Sequence, residues 1–130
     1  MEGGWRIIKN YNQIVANIKS GTARIYKEIY GQGPTNLYAH VWKDVLILKM
    51  EGVLTKLEQT LLSSVEGEAL VYKIRDHFVS NFFISGGGTY KQWLEEEASN
   101  KMESCSYNMD KEKNTLYIFF IFENKLLKEV

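Results

Sequence analysis

The chain turns sharply at Gly31-Gln32-Gly33-Pro34, and this corner constrains the elements on either side of it. The residue before a proline avoids helical backbone angles, so a helix that precedes the corner must end there. Gly31 stands where a left-handed glycine commonly follows a helix C-terminus. Gly31, Gly33 and Pro34 therefore predict a structural corner between a helix and a strand.

Before the corner, the sequence predicts an amphipathic helix from about residue 10 to residue 30. One stripe of residues at spacings of three and four carries its apolar face: Ile14, Ile18, Gly21, Ile25 and Ile29. Gly21 costs about 1 kcal/mol there relative to alanine, which we interpret as the close approach of another backbone. Residues 1–9 are expected to be a lead-in, and residues 10–130 a single domain.

After the corner, alternating side chains predict two strands over about residues 35–42 and 45–51. Lys43-Asp44 is the predicted hairpin turn between them. Gly52 breaks the second strand. Thr55 with Glu58 then forms the pattern of a capping box, which predicts the start of a short helix.

The second half of the chain predicts two further helices and a closing hairpin. A helix to about residue 83 is expected to begin at a Ser63–Glu66 capping box, with Leu70, Ile74, Phe78 and Phe82 on its apolar face. A last helix follows a glycine joint, with a third box at Thr89 and Gln92. Strands are expected over about residues 102–109 and 115–122. The second of these is apolar on both faces, which predicts a central place in the sheet or a covered outer face.

These elements predict an α+β fold in the order α-β-β-α-α-α-β-β. The economical arrangement is one four-stranded antiparallel sheet with helices packed on one face. The other face would carry five large ring-bearing side chains: Tyr38, His40, Trp42, Tyr117 and Phe119. Such a face is too aromatic to remain in water, so we expect a homodimer interface or a covering helix.

Charge and composition narrow the function classes. The 16 basic and 16 acidic residues give a formal net charge of zero, and no RNA-reading aromatic signature accompanies the sheet face, so no nucleic-acid partner is expected. The sequence has no run of about 18 apolar residues, so no insertion into a membrane is expected. Cys105 is the single cysteine, which suits a reducing cytosol, and the N-terminal residues lack an apolar signal core. We therefore expect a cytoplasmic protein.

Few side chains suggest chemistry. His40 and His77 are the two histidines, and no further ligands at suitable spacing accompany them, so neither a metal nor another cofactor is expected. Cys105 lacks an adjacent base, which favours a buried structural thiol. Glu51 and Glu58 could form a paired-carboxylate catalyst, but a strand end and a helix cap explain them better. No catalytic residue is predicted.

Two glycine segments could cradle an anion. Gly31 to Pro34 lacks the lysine and the following helix of a phosphate loop, so the structural corner is the better interpretation. Gly86, Gly87, Gly88 and Thr89 precede a helix, and backbone amides at a helix N-terminus attract anions. A hinge or a domain-swap joint remains the favoured interpretation of this second segment.

One central pattern resembles a bacterial family. Tyr30 to Thr35, followed by a hairpin and then by Met50 to Thr55 with Glu58, is similar to the MpsC-like family, the third component of a sodium-translocating, membrane-potential-generating system. Glu66-Gly67, Lys73-Ile74-Arg75 and the hairpin of residues 104–122 extend the resemblance over about residues 14–122. Gln32 and Asn108 depart from the family pattern, which often has a basic and an acidic residue there.

The resemblance implies a small cytosolic accessory protein with a possible partner in a membrane complex that handles ions or bicarbonate. Together with the missing catalytic constellation, this favours a non-enzymatic interaction or accessory module. A regulatory domain that binds a small ligand or an anion is the alternative, with its site near Gly86 to Thr89 or in a pocket between helix and sheet.

Overall fold

The computed structural model describes residues 11–84 and 88–126. The expected lead-in and two residues of the glycine joint, Gly86 and Gly87, lie outside these ranges. In chain order the elements are α1 (Tyr11–Tyr30), β1 (Asn36–Trp42), β2 (Val45–Glu51), α2 (Lys56–Leu61), α3 (Val65–Val79), a π-helical turn (Ser80–Ile84), α4 (Thr89–Ala98), β3 (Met102–Asp110) and β4 (Thr115–Phe122). The predicted α+β class and element order are confirmed.

The four strands form one antiparallel sheet in the order β1-β2-β4-β3. Each hairpin contributes one central and one edge strand, and the two hairpins meet where β2 pairs with β4. The predicted central position of β4 is thus confirmed. Its inward side chains are buried in the core, and its outward side chains Tyr117 and Phe119 are half-buried.

The core lies between the sheet and the helices on one of its faces. Side chains that point inward from the two central strands are fully buried: Leu46, Leu48, Met50, Leu116, Ile118 and Phe120. Above them, Phe83 packs edge-on against Tyr90 with ring centroids 5.1 Å apart, and both rings approach Phe120. The helical layer is therefore held to the sheet by aromatic packing.

Helix α1 packs against α4 at Gly21, the one glycine of the helix. A Cβ atom at Gly21 would lie 1.9 Å from the Trp93 ring, so only glycine fits at this contact. The predicted close approach is present, but an indole ring makes it instead of a backbone. One residue further on, the Thr22 and Tyr90 hydroxyls are 2.8 Å apart and buried. Ile29, the last residue of the predicted stripe, is exposed.

Helix α3 differs from its predicted boundaries and face. Its N-cap is Ser64, whose hydroxyl accepts the amide of Gly67 at 3.0 Å, so the predicted box at Ser63 is wrong. Leu70 and Ile74 are exposed, and the buried face is formed by Gly67, Val71, Arg75, Phe78 and Val79. Phe78 and Phe82 are buried as predicted, but the charged Arg75 lies on the buried face in place of Ile74.

The cap predicted for α4 is also wrong. Gly88 is the N-cap and makes no side-chain hydrogen bond, while Thr89 is already the first helical residue. The helix ends at Ser99, which has the left-handed φ of 51°. Asn100 then donates from Nδ2 to the Asn124 carbonyl at 2.7 Å and so ties this end to the residues after β4.

Candidate functional site

The sheet face turned away from the helices is the surface predicted for an interface. Its side chains form three rows across the sheet, defined by strand pairing: Tyr38, Lys49, Tyr117 and Asn108; His40, Ile47, Phe119 and Ser106; Trp42, Val45, Ile121 and Ser104. These twelve residues are called the open sheet face. The structure therefore brings together the five side chains that the sequence singled out.

The open sheet face has an uneven profile. Trp42 is 67% exposed and Tyr38 is 42% exposed, both on the edge strand β1. Phe119 and Tyr117 on β4 are half-buried. The opposite edge strand, β3, contributes only the short side chains of Ser104, Ser106 and Asn108. The surface thus carries large aromatic side chains at the β1 edge and short polar side chains at the β3 edge.

Lysine ammonium groups lie over the rings of this face. Lys49 stands between two tyrosines, with its Nζ atom 5.6 Å from the Tyr38 ring centroid and 5.9 Å from that of Tyr117. It also lies 3.6 Å from the Glu51 carboxylate. Lys43 approaches the Trp42 ring at 4.8 Å. These cation–π contacts hold the rings in place without covering them.

Helix α1 reaches the rim of the open sheet face, which the sequence did not reveal. The Tyr11 hydroxyl lies 3.3 Å from Nδ1 of His40, and Lys19 lies 6.0 Å from the Tyr38 ring centroid. Tyr11 lies one turn before Ile14, in phase with the apolar stripe, whereas Lys19 is a polar position beside it. A helical period alone cannot place them, because it does not say on which sheet edge the helix lies.

The corner residues adopt the geometry that glycine allows. Gly31 has a φ of 77°, and its amide donates to the Lys27 carbonyl at 2.7 Å, which closes α1. Gly52 has a φ of 71°, and a Cβ atom there would lie 2.1 Å from the Thr35 hydroxyl. Its amide donates to the Asn114 carbonyl at 2.8 Å. The end of β2 is therefore fixed against both the corner and the β3–β4 turn.

A buried ion pair joins α3 to the start of α2. Arg75 donates from Nε to Oε2 of Glu58 at 3.0 Å and from Nη2 to Oε1 at 2.5 Å, and both residues are 5% exposed. The same Nη2 atom donates to the Val53 carbonyl at 2.9 Å. Glu58 also closes the capping box, since it accepts the Thr55 amide at 3.0 Å while the Thr55 hydroxyl accepts the Glu58 amide at 3.1 Å.

The surroundings of this pair shift two pKa values. Burial acts to raise the pKa of Glu58, but the hydrogen bonds from Arg75 and Thr55 outweigh it and hold the pKa below its ordinary value. Burial raises the pKa of the neighbouring Tyr26 hydroxyl. Glu58 is therefore ionised and Tyr26 neutral near pH 7, so the charge of Arg75 is balanced by one carboxylate.

The sequence identified Glu58 as a cap but missed its partner. Arg75 lies four residues after Val71 and three before Phe78, which is the spacing of the buried face of α3. The sequence did contain a signal for this burial, namely a charged residue at the spacing of the buried apolar residues. It indicates a buried cation that needs an acidic partner elsewhere in the chain.

Beside this pair lies a cleft of about 570 Å³ between the corner, the β2–α2 loop and α3. It is lined by apolar, polar and glycine residues: Tyr26, Gln32, Gly33, Gly52, Val53, Leu54, Thr55, Ile74, Arg75, His77, Phe78 and Asn81. The segment from Gly52 to Thr55 and the corner both face it. Residues that were interpreted as scaffold from the sequence therefore also form the walls of the cleft.

The remaining candidates do not gather into a site. Gly88 and Thr89 begin α4, away from the cleft walls, and the other two glycines of that predicted anion site lie outside the described residues. Cys105 is partly buried, and burial raises the pKa of its thiol to about 12, so it is not a thiolate at neutral pH. Within residues 11–84 and 88–126, no three His, Cys, Asp or Glu side chains are arranged to hold a metal ion.

Comparison with known proteins places the chain in a family. The profile described as Na+-translocating membrane potential-generating system (MpsC) matches residues 10–124, which is most of the chain. No curated protein and no solved structure matches it. None of the helices in the described part of the chain is both long and apolar enough to span a bilayer. The family resemblance of the corner and hairpin is confirmed, and the chain belongs to the MpsC family.

Proposed function

We propose that the chain is a non-enzymatic accessory module of the membrane system after which its family is named, and that it works in the cytoplasm through protein contacts of the open sheet face. The observation that carries this proposal is the exposure of Trp42 and Tyr38 on the edge strand of a sheet whose other face packs against the helices. Aromatic side chains are enriched at the centres of protein interfaces. Contiguous exposure of this kind marks an interaction surface.

The occupant that fits this face is a second copy of the chain. A twofold axis parallel to the strands would place β1 of each copy over β3 of the other. The tall side chains of Tyr38, His40 and Trp42 would then stand over the short ones of Asn108, Ser106 and Ser104. The large side chains of β1 in one copy would occupy the space above the short side chains of β3 in the other, so the face is complementary to itself.

The same axis gives suitable contacts at the centre. Lys49 of one copy would lie over Tyr117 of the second copy, since the two residues already belong to one row. Ile47 would lie over Phe119 in the middle row, where both side chains are half-buried in the single chain. Lys49 is accompanied by Glu51, so stacking two copies brings together balanced charges.

The size of the face sets the expected affinity. Four strands of about seven residues give a patch of roughly 19 Å by 23 Å, since strands lie about 4.8 Å apart and rise about 3.3 Å per residue. A contact of this area falls at the small end of specific interfaces, where association is weak or transient. We expect the dimer to dissociate at micromolar concentration, which would let a membrane partner take the same face.

The test is the mass of the chain in solution. Sedimentation velocity from about 1 μM to about 1 mM should show a concentration-dependent dimer, as expected for a weak interface. Trp42→Glu should give a monomer at every concentration, because a carboxylate would be buried against the second copy. Val65→Glu is the matched control: Val65 is 85% exposed on α3, away from the sheet, and the dimer should be unchanged.

Two results would overturn the proposal. One is a monomeric wild-type chain at the highest concentration, and the other is a Trp42→Glu variant that dimerises like the control. Titration with single-stranded oligouridylate tests for RNA, the other kind of molecule that stacks on exposed aromatic side chains. If Trp42→Glu abolished binding of that RNA, the face would be a nucleic-acid surface instead.

A further inference from the structure

The cleft beside the Glu58–Arg75 pair is separate from the open sheet face. Its walls come from the corner, the β2–α2 loop and one side of α3, and its volume of about 570 Å³ is that of a small-molecule site. Tyr26 and Phe78 provide buried ring surface, with centroids 5.5 Å apart. The Arg75 guanidinium lies 5.3 Å from the Phe78 ring centroid, so planar groups line one side.

Gly33 shows that space in front of the corner is kept clear. Gly31 and Gly52 need glycine because their φ angles are positive, and Gly52 is also crowded by Thr35. Gly33 has no positive φ, and a Cβ atom added to it would meet no atom within 4 Å. Neither backbone strain nor a neighbour explains this glycine. Its missing side chain leaves room at a wall of the cleft.

The charges of the cleft disfavour a polyanion. Among the described residues that line the cleft, Arg75 is the one lysine or arginine, and Glu58 and the Val53 carbonyl occupy its Nε and Nη2 donors. The amides of Gly52, Leu54 and Thr55 are also occupied, by Asn114 and Glu58. A phosphate cradle needs unpaired amides or a free cation, and most of the donors in this loop already have partners within the chain.

Hydrogen-bonding groups remain at the rim. Within the described residues, the side chains of Gln32 and His77 have no hydrogen-bond partner, and both line the cleft. Asn81 donates from Nδ2 to the His77 carbonyl, which leaves its side-chain oxygen as an acceptor. The rim therefore offers donors and acceptors without net charge, while the interior offers ring surface.

From this combination we propose that the cleft binds an uncharged small molecule with a planar aromatic or heteroaromatic ring and a hydrogen-bonding edge. The ring packs against Tyr26 and Phe78, and the edge meets Gln32, His77 and Asn81 at the rim. The approach of the ligand past the corner requires glycine at position 33. The site does not depend on the open sheet face, so either assignment can fail without the other.

The experiment uses benzamide, a ring with an amide edge, added to the full chain and followed by two-dimensional amide NMR. Fragments of this size bind with a Kd of about 1 mM when most of the molecule is enclosed. We expect saturable shifts at residues of the corner and the β2–α2 loop, such as Gln32, Gly33 and Leu54. Inorganic phosphate at the same concentrations should leave these amides unchanged.

Two variants locate the binding. Gly33→Leu should weaken benzamide binding at least about tenfold, the factor for loss of one well-packed contact, while the melting temperature stays close to that of the wild type. Ile74→Glu places a charge at an exposed position of the wall and should have the same effect. Trp42→Glu, on the open sheet face, should bind benzamide as the wild type does.

Three results would contradict the proposal. Absence of saturable shifts up to about 10 mM, ten times the expected Kd, would overturn the proposal. So would unchanged binding in both folded cleft variants, because benzamide would then lie elsewhere. Stronger shifts with phosphate than with benzamide would show that the cleft is an anion site. If Gly33→Leu fails to fold, Ile74→Glu alone decides.

Discussion

The chain buries an arginine and a glutamate but leaves a tryptophan and a tyrosine exposed. Arg75 and Glu58 are each 5% exposed, whereas Trp42 and Tyr38 lie open on a sheet edge. Both arrangements reverse the usual distribution of residue types. The buried pair is explained within the chain, because a carboxylate, a carbonyl and a helix cap satisfy it. Lysine side chains lie over the two rings but leave Trp42 67% and Tyr38 42% exposed.

This comparison distinguishes the residues that stabilise the fold from the residues that contact other molecules. A buried charge with a complete set of partners is a feature of stability and position, since removing one partner leaves the other uncompensated. An exposed ring contributes little to folding and gains its burial only on association. Mutations in the two regions should therefore change different observables.

The largest effect is expected at Arg75. Arg75→Met should lower the free energy of unfolding by about 3–5 kcal/mol, because Glu58 would remain ionised and buried without its partner. Urea denaturation followed by circular dichroism measures this loss. The double variant with Glu58→Gln should recover a substantial part of it. A loss below about 1 kcal/mol, as for surface pairs, would show that the pair is hydrated.

A smaller effect is expected on the stability of the fold at acidic pH. The folded chain holds the pKa of Glu58 below its ordinary value, so the unfolded chain binds this proton more readily. Glu58 therefore contributes stability above the ordinary glutamate pKa of about 4.3, and this stability is lost as the pH falls through the lowered folded value. Glu58→Gln lacks this contribution. The difference in urea midpoint between wild type and Glu58→Gln should shrink on acidification, and a constant difference would contradict the assignment.

The smallest effect is expected on the open sheet face. Trp42→Ser should change the unfolding free energy of the monomer by no more than about 0.5 kcal/mol, the usual range for exposed positions. The measurement is made at concentrations where the wild type is monomeric. A loss above about 2 kcal/mol would mean that the ring is packed within the chain, and the contrast with Arg75 would disappear.

Much of the fold could be predicted from local rules. The corner, both hairpins and the capping box at Thr55 depend on residues close together in sequence, and the order of elements left few ways to pair four strands. The failures at Ser63 and Thr89 are also local. Each has a competing residue next to it, Ser64 or Gly88, and the choice between neighbours depends on how the following helix packs.

The cleft could not be predicted, because its parts are remote in sequence. Arg75 meets Glu58 and Val53 only after α3 folds back on the β2–α2 loop, and neither partner carries a mark of this contact. The corner faces the same space only through the course of β1 and β2. The open sheet face was easier to predict, since strand alternation alone puts Tyr38, His40 and Trp42 on one side.

The strand order β1-β2-β4-β3 also predicts which step of folding is slowest. Each hairpin joins strands that follow one another in sequence, so both can form early and independently. The seam between β2 and β4 must wait until the segment containing α2, α3 and α4 has folded back, which concentrates the loop-closure entropy in one event. Leu48 and Ile118 pair at the middle of that seam, so we expect their contact to form when the two hairpins join.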